Sequence, residues 1–295
     1  MKVKQNQSKQ KDQHLNPYTS YMVIGPNGKT GRRVAAKLKE KGYQVKEASR
    51  SSSTIFDWHD QSTWAPALQG VDAVYITVHP DLSFPGVAEN VEAFSKLAVS
   101  LGTKRLVLLS GRNEAGAQEA EKRLMKTGAE WVVLRCSVFN QNFSESFQQA
   151  IIQGQLLMPV GEILEPFVDV EDIADVAVAS LTHQKHVAQI YELSGPKLIA
   201  LEEVAMELSS TIGHQVTFHS ISIEEYAKQL IGFGYAEQDA LPIAQLIAEV
   251  MDGRNASLTK GVQQALGREP INFKTFVERE HKVGTWKQQA PRHLA

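Results

Sequence analysis

The chain has one cysteine, Cys136, among its 295 residues, so no disulfide can form within it and the composition suits a reducing compartment. There is no basic excess: 31 Lys and Arg stand against 33 Asp and Glu, for a net charge of -2. Direct nucleic-acid binding, which relies on neutralising many phosphates, has no global footprint here and is not expected. The first eighteen residues, rich in Lys, Gln, Asn and Ser, lack the apolar stretch that a secretion signal or membrane anchor needs. They are expected to form a disordered tail, as is 287–295, and the cytoplasm is the expected location, with no membrane partner. Internal repeats are also missing, and with 42% hydrophobic residues the chain is expected to be an ordinary globular protein with an ample core.

What is present is a set of three glycines spaced three apart. Gly25, Gly28 and Gly31 lie between an apolar run, Tyr21 to Ile24, and a stretch of helical periodicity in which Val34, Ala35 and Leu38 share a face before Gly42. A strand that turns tightly into a helix points the helix's unpaired amides beyond the sheet edge, where a pyrophosphate fits. Gly25 supplies the turn, Gly28 lets the backbone approach the phosphates, and Gly31 lets the helix pack close on its strand. Gly28-Lys29-Thr30 also resembles the end of a nucleoside-triphosphate loop. That loop requires a glycine five residues before Gly28, and the position holds Val23.

Downstream, strands are expected at 44–49, 55–58, 71–78, 105–109 and 131–134, alternating with helices at 86–101 and 114–127. This alternation predicts an α/β fold with a doubly wound parallel sheet, a Rossmann domain over residues 19–155. Beyond it, helices dominate: one capped by Asp169 with Val170, Ile173, Ala174, Ala177, Val178 and Leu181 on one face, then 201–212, 223–231, 236–252 and 272–283. These predict a small, mainly helical substrate lobe over 156–286, with a strand near 190–194 returning to the sheet. Phe233, Tyr235 and Leu241 are candidates for its pocket.

The residue ending the second strand selects between the two nicotinamide dinucleotides, an acid binding the ribose hydroxyls of NAD and a base the 2′-phosphate of NADP. Here it is Arg50, with the hydroxyls of Ser51 and Ser52 beside it, which favours NADP(H). Glu47, three residues earlier, keeps NAD(H) open.

The strings VIGPNGKTG, FDWHDQSTWAPALQGVDAVYITVHPD, LRCSVFNQNF and FVDVEDIADVA together resemble the NmrA-like atypical short-chain dehydrogenase/reductases, and within them bacterial relatives of the ergot-alkaloid dehydrogenases that make festuclavine or agroclavine. The resemblance spans about residues 20 to 285 and is specific through 181. It implies that Gly25, Gly28, Gly31 and the backbone of Asn27, Lys29 and Thr30 hold the pyrophosphate, and that Arg50 meets the 2′-phosphate. It further implies that Asp57 lies near the adenine, that Val78, His79 and Pro80 flank the ribose, and that Phe139, Asn142 and Phe143 border the substrate pocket.

The pattern breaks at the proton donor. Orthodox short-chain reductases use a tyrosine with a lysine four residues on, and no tyrosine occurs between Ser110 and Glu121. Counting back from Lys122 gives Gln118; aligning on Glu121 instead puts Asn113 and Ala117 at the two positions. Neutral amides are poor general acids. Ser110 is the one catalytic candidate, with a turn cap before Gly111 as its alternative role. Two functions fit this loss. One is hydride transfer to a small organic acceptor, an iminium or quinone-like molecule, without the tyrosine-lysine relay; the resemblance implies iminium reduction, which needs only a hydride. The other is a nucleotide-bound redox sensor without turnover. His183 and His186 have no partners at ligand spacing, so no metal is expected. Cys136 reads as packing, and oligomeric state is not legible.

Overall fold

The computed structural model describes residues 18 to 287; of the expected tails, 1–18 and 287–295, all but Tyr18 and Lys287 lie outside the described residues. Tyr18, assigned by sequence to the tail, is buried, with its hydroxyl donating to the Glu130 carboxylate and its ring 5.3 Å from the Arg105 guanidinium. From there strands and helices alternate: β1 (Ser20–Ile24), α1 (Gly31–Glu40), β2 (Gln44–Ser49), β3 (Thr54–Ile55), α2 (Trp64–Leu68), β4 (Ala73–Ile76), α3 (Val87–Ser100), β5 (Arg105–Gly111), α4 (Ala115–Met125) and β6 (Glu130–Cys136). A π-helical turn (Asn142–Ser146), α5 (Gln148–Ile152), β7 (Gln155–Met158), α6 (Val170–Thr182) and β8 (Gln189–Leu193) follow. The chain then runs through α7 (Leu201–Ile212), β9 (Thr217–Ser220), α8 (Ile223–Gly232), α9 (Glu237–Val250), α10 (Gly261–Leu266) and α11 (Phe273–Lys282).

Seven strands form one parallel sheet in the order β3-β2-β1-β4-β5-β6-β8, the doubly wound arrangement the alternation predicts. The pleat sends Tyr21 and Val23 of β1 to one face, where they meet Val34 and Leu38 of α1 and Ile173 and Ala177 of α6. Met22 and Ile24 point the other way, toward Trp64 and Leu68 of α2, Phe94 of α3 and Ala120 of α4. Both faces are therefore covered, and this is why the central strands read as unbroken apolar runs. The α6 helix begins where expected, its cap Asp169 accepting from the Glu171 amide at 2.9 Å, but it packs on the sheet beside α1 rather than with the lobe.

The lobe has its own core, in which Phe143, Phe167, Leu201, Leu208, Phe273 and Trp286 are buried together. It contains one feature the sequence did not announce, a parallel pair of short strands, β7 and β9. The helices α8 and α9 form a hairpin around Tyr226, Leu230 and Ala244, and α8 starts at a capping box in which Ser222 and Glu225 satisfy each other's amides. Among the described residues no helix is long and apolar enough to cross a membrane.

Candidate active site

Strand order places a crevice beyond the carboxyl ends of β1 and β4, where the sheet's winding reverses. The glycine loop sits in it. Gly25 adopts φ +71°, a conformation that L side chains rarely take, and its amide bonds to the Ala48 carbonyl at 3.1 Å, which ties the turn to β2. A Cβ at Gly25 would also press on the Thr77 hydroxyl at 2.7 Å, and that hydroxyl donates to the Ile24 carbonyl at 2.9 Å. At Gly31, the first residue of α1, a Cβ would overlap the Gly25 carbonyl, so the helix approaches its strand only because this residue is glycine. Gly28 is less confined, with the Gly25 carbonyl oxygen 3.3 Å from a built Cβ.

The hydrogen bonds of this turn leave donors over. The amide of Gly28 bonds to Gly25, and those of Arg32, Arg33 and Val34 bond back to Gly28 and Thr30. Among the described residues none accepts from the amides of Asn27, Lys29, Thr30 or Gly31. Four unspent N–H groups at the amino end of a helix, with no acidic side chain in its first turn, form a cradle for an anion. The cradle is pinned from outside. The Lys29 amine donates to the Ser146 hydroxyl at 3.0 Å, Arg32 pairs with Glu145, and Arg33 binds Glu171 at 2.7 Å and the Lys29 carbonyl at 2.8 Å. Burial holds the Lys29 amine below the usual lysine range. These cross-links fix the loop against the π-helical turn and the start of α6.

Arg50 follows β2 directly, is exposed, and has no hydrogen-bond or ion-pair partner among the described residues. The neighbouring turn is held by the Ser49 hydroxyl, which accepts from the amides of Ser51 (3.3 Å) and Ser52 (3.1 Å). Ser51 is exposed beside Arg50. Asp57 ends the next segment; its carboxylate caps the His59 amide at 3.0 Å and its carbonyl accepts from the Trp64 indole at 2.8 Å. Trp58, not singled out by sequence, donates its indole N–H to the Thr77 carbonyl at 3.0 Å and so closes the floor between β3 and β4. The strand expected over 71–78 ends at Ile76, so Val78, His79 and Pro80 form the loop above it, with His79 and Pro80 exposed and joined by a cis peptide.

Ser110 lies inside β5, which continues through Gly111, and its hydroxyl does not point at the crevice. It donates to Glu121 of α4 at 2.5 Å, and Glu121, fully buried, is held by Arg135 of β6 at 2.6 Å. Arg135 reaches on to Glu192 of β8 at 3.4 Å. The serine's proton is therefore directed to the internal Glu121 carboxylate on α4 rather than to a turn cap before Gly111. Of the positions where the tyrosine-lysine pair would fall, Lys122 is exposed, Ala117 is core, and Asn113, at φ 55°, donates to the Asn255 side-chain oxygen at 2.9 Å.

Past β6 the three pocket candidates separate. Phe143 is 1% exposed and packs edge-on against Phe167 and Phe273, a core residue of the lobe rather than a pocket wall. Phe139 and Asn142 are half-buried, Phe139 bridging to Val168. Phe233, Tyr235 and Leu241, expected near the pocket, are exposed at the tip of the α8–α9 hairpin. Cys136 is buried and its thiol is pushed well up by desolvation, consistent with packing.

Sequence reasoning missed a cluster of buried polar side chains at the ends of β5 and β6. Arg112 donates to the Ser137 hydroxyl at 2.9 Å and to the carbonyls of Asn255 (3.4 Å) and Ser257 (3.2 Å), which joins the sheet's edge to the lobe. Its Nε has no hydrogen-bond acceptor among the described residues, the Glu192 carboxylate standing 3.9 Å away, and Glu165 Oε2 and both amide atoms of Asn140, a fully buried side chain, likewise lack hydrogen-bond partners. Glu165 accepts from the Val138 amide at 3.3 Å, and desolvation still pushes its carboxyl up to about 7. Unpaired polar atoms in a fully buried position are costly, and they gather where ligands bind. The only signal in the sequence was the NQN run just after a predicted strand.

No family model matches the chain. An oxidoreductase of Bacillus subtilis, YesF, is 31% identical over 271 residues, covering 86% of this chain and 93% of its own length. Agroclavine dehydrogenase of Claviceps fusiformis is 30% identical over 287 residues, covering 89% and 97%. Among solved structures, an NADPH-dependent quinone oxidoreductase of Escherichia coli, determined with NADPH, superposes with a TM-score of 0.74 at 20% identity, covering 88% of this chain and 99% of its own. With relatives at this level along nearly the whole length and the glycine loop in place at the switch point, the chain belongs to the NmrA-like atypical short-chain dehydrogenase/reductases, the group that includes the ergot-alkaloid dehydrogenases.

Proposed function

We propose that the chain is an NADP(H)-preferring oxidoreductase that reduces a small organic acceptor of the imine or quinone type without a tyrosine-lysine relay. The observation that carries this reading is the set of four unspent amides, Asn27, Lys29, Thr30 and Gly31, at the switch point of the sheet. In this reading they bind the pyrophosphate, with Gly25 and Gly28 leaving room for it. Arg50, exposed and unpaired among the described residues, meets the 2′-phosphate with Ser51 beside it, while Glu47 is drawn off by Lys39 at 2.6 Å and does not compete. Asp57 flanks the adenine, and Val78, His79 and Pro80 flank the ribose.

The bound nicotinamide supplies a hydride at its C4 position. The protein's part is to place the acceptor over that carbon, beside Phe139, Asn142 and the buried polar side chains of Arg112, Asn140 and Glu165, and to keep water out through the lobe. NADPH oxidation by the purified protein with imine, quinone and azo acceptors tests the reading. Turnover with any of them supports a reductase; binding without turnover across the panel turns the reading toward a redox sensor.

A further inference from the structure

The loops after β4 and β5 bring two carboxyl groups together above the sheet. Glu114, at the start of α4, is 8% exposed, and its carboxyl lies over Gly111, where any side chain would overlap it. Its Oε2 receives no hydrogen bond among the described residues. The carboxyl of Asp81 is within hydrogen-bonding reach, and Asp81 is anchored by the amide and hydroxyl of Ser83 at 2.8 and 2.7 Å on a single oxygen. The contact between the two segments is close because residue 116 is glycine: a Cβ there would lie 2.6 Å from the Ser83 Cα. Two facing carboxyls with no donor between them share a proton, and burial favours the protonated form of Glu114.

Glu114 lines a cavity of about 220 Å³ with Ser83, Ala115 and Gly116 on the sheet side and Leu246, Glu249 and Val250 of α9 on the lobe side. The other groups facing Glu114 are Glu249 and Arg254, and the buried Cys136 thiol lies behind it. Burial first, and then Asp81, push the Glu114 carboxyl up to about 8, so the acid is protonated at neutral pH and able to give that proton up.

We propose that Glu114, faced by Asp81 beside this cavity, is the proton donor of this reductase, and that its acceptors therefore include neutral molecules with a C=O or N=N bond. This rests on the reductase reading above. As the acceptor's π bond breaks, the hydride adds to one of its atoms. The electron pair left on the other, oxygen or nitrogen, takes the proton from the Glu114 O–H. Glu114 is left as a carboxylate and regains a proton from solvent past Asp81. The balance is one NADPH and one proton consumed per two-electron reduction.

The test compares wild type with Glu114→Gln and Asp81→Asn. The first readout is the carboxyl carbon resonance in protein labelled at the glutamate side chains. One resonance should titrate near pH 8, vanish in E114Q, and titrate at lower pH in D81N. The second is the pH profile of kcat/KM for NADPH oxidation by a soluble benzoquinone. It should fall above about pH 8 in wild type, break at lower pH in D81N, and lie about a hundredfold lower without that break in E114Q, with NADPH affinity changed less than twofold. A wild-type rate and profile in E114Q, or no glutamate resonance titrating above pH 6 that is lost in E114Q, overturns the assignment alone. A wild-type protein that binds no NADPH overturns the reductase reading and this assignment with it.

Discussion

A Cβ placed on Gly31 would lie 2.8 Å from the carbonyl carbon of Gly25 and closer still to its oxygen, so the first residue of α1 and the last turn of the β1 edge are in backbone contact. Gly28, midway between them, tolerates more, with its nearest neighbour at 3.3 Å. The two glycines should therefore fail in different ways. Gly31→Ala forces backbone apart and should lower stability by about 2–4 kcal/mol, read as a shift in urea midpoint. Gly28→Val should leave the midpoint within about 1 kcal/mol while removing cofactor binding, because its side chain projects into the cradle. Equal stability losses in the two variants would contradict this division of roles.

In the proposed reading, Arg50 separates the two cofactors. Replacing it with aspartate removes a charge-assisted contact worth about 1.5–3 kcal/mol and adds repulsion, so NADPH affinity should fall at least tenfold. NADH affinity should change less than about threefold. Titration of both nucleotides against wild type and R50D checks this, and parallel losses would place the 2′-phosphate elsewhere.

Ser110 is expected to matter for stability and little for turnover. Its hydroxyl donates to a fully buried carboxylate that is also paired with Arg135, so Ser110→Ala should cost about 1.5–3 kcal/mol while kcat stays within about threefold. Removing Glu121 should cost at least as much, about 2–3 kcal/mol, because Ser110 loses its acceptor and Arg135, partly exposed and still near Glu192, loses its main partner. A hundredfold fall in kcat for S110A at unchanged stability would return the serine to the reacting centre.

Stability should fall as pH rises from about 6.5 to about 8. The carboxyls of Glu114 and Glu165 are pushed up to about 8 and about 7 from 4.5, so the folded protein retains protons that the unfolded chain has released, and raising pH favours unfolding through that window. His186 acts in the opposite sense but lower down. Its ring nitrogen bonds to the Tyr191 hydroxyl at 2.7 Å, and burial holds it down to about 4 from 6.5, so it raises stability with pH only below 6.5. Urea midpoints at half-unit intervals test this; Glu165→Gln should flatten the slope near pH 7, and a slope of the opposite sign between 6.5 and 8 would refute the burial argument.

How much was legible in the sequence depended on how local the cause is. The glycine loop, Arg50 and the strand-helix alternation follow from turn chemistry and periodicity within a few residues, and the helix at 201–212 was read to the residue. Boundaries slipped where an apolar run outlasts its ladder, as at Thr77 and Val78, whose strand stops at Ile76. The β7–β9 pair was hidden because each strand is four residues long and its partner lies some sixty residues away. Tyr18 reads as tail until Glu130 and Arg105 meet it. The same holds for the site. Ser110 sits on a strand of the right register, but only the fold shows that Glu121, itself held by Arg135, accepts from its hydroxyl. Arg112, Glu114 and Glu165 carry no motif, Asn140 has only the NQN run, and all four gain meaning only when the ends of β5 and β6 meet the lobe.

The measurement that bears most directly on the central claim is a titration of the purified wild-type protein with NADPH and NADH, followed by intrinsic fluorescence or calorimetry. Saturable binding of one molecule per chain, tighter for NADPH than for NADH, is the predicted result. No uptake of either nucleotide at concentrations up to about 1 mM would contradict the account at its root.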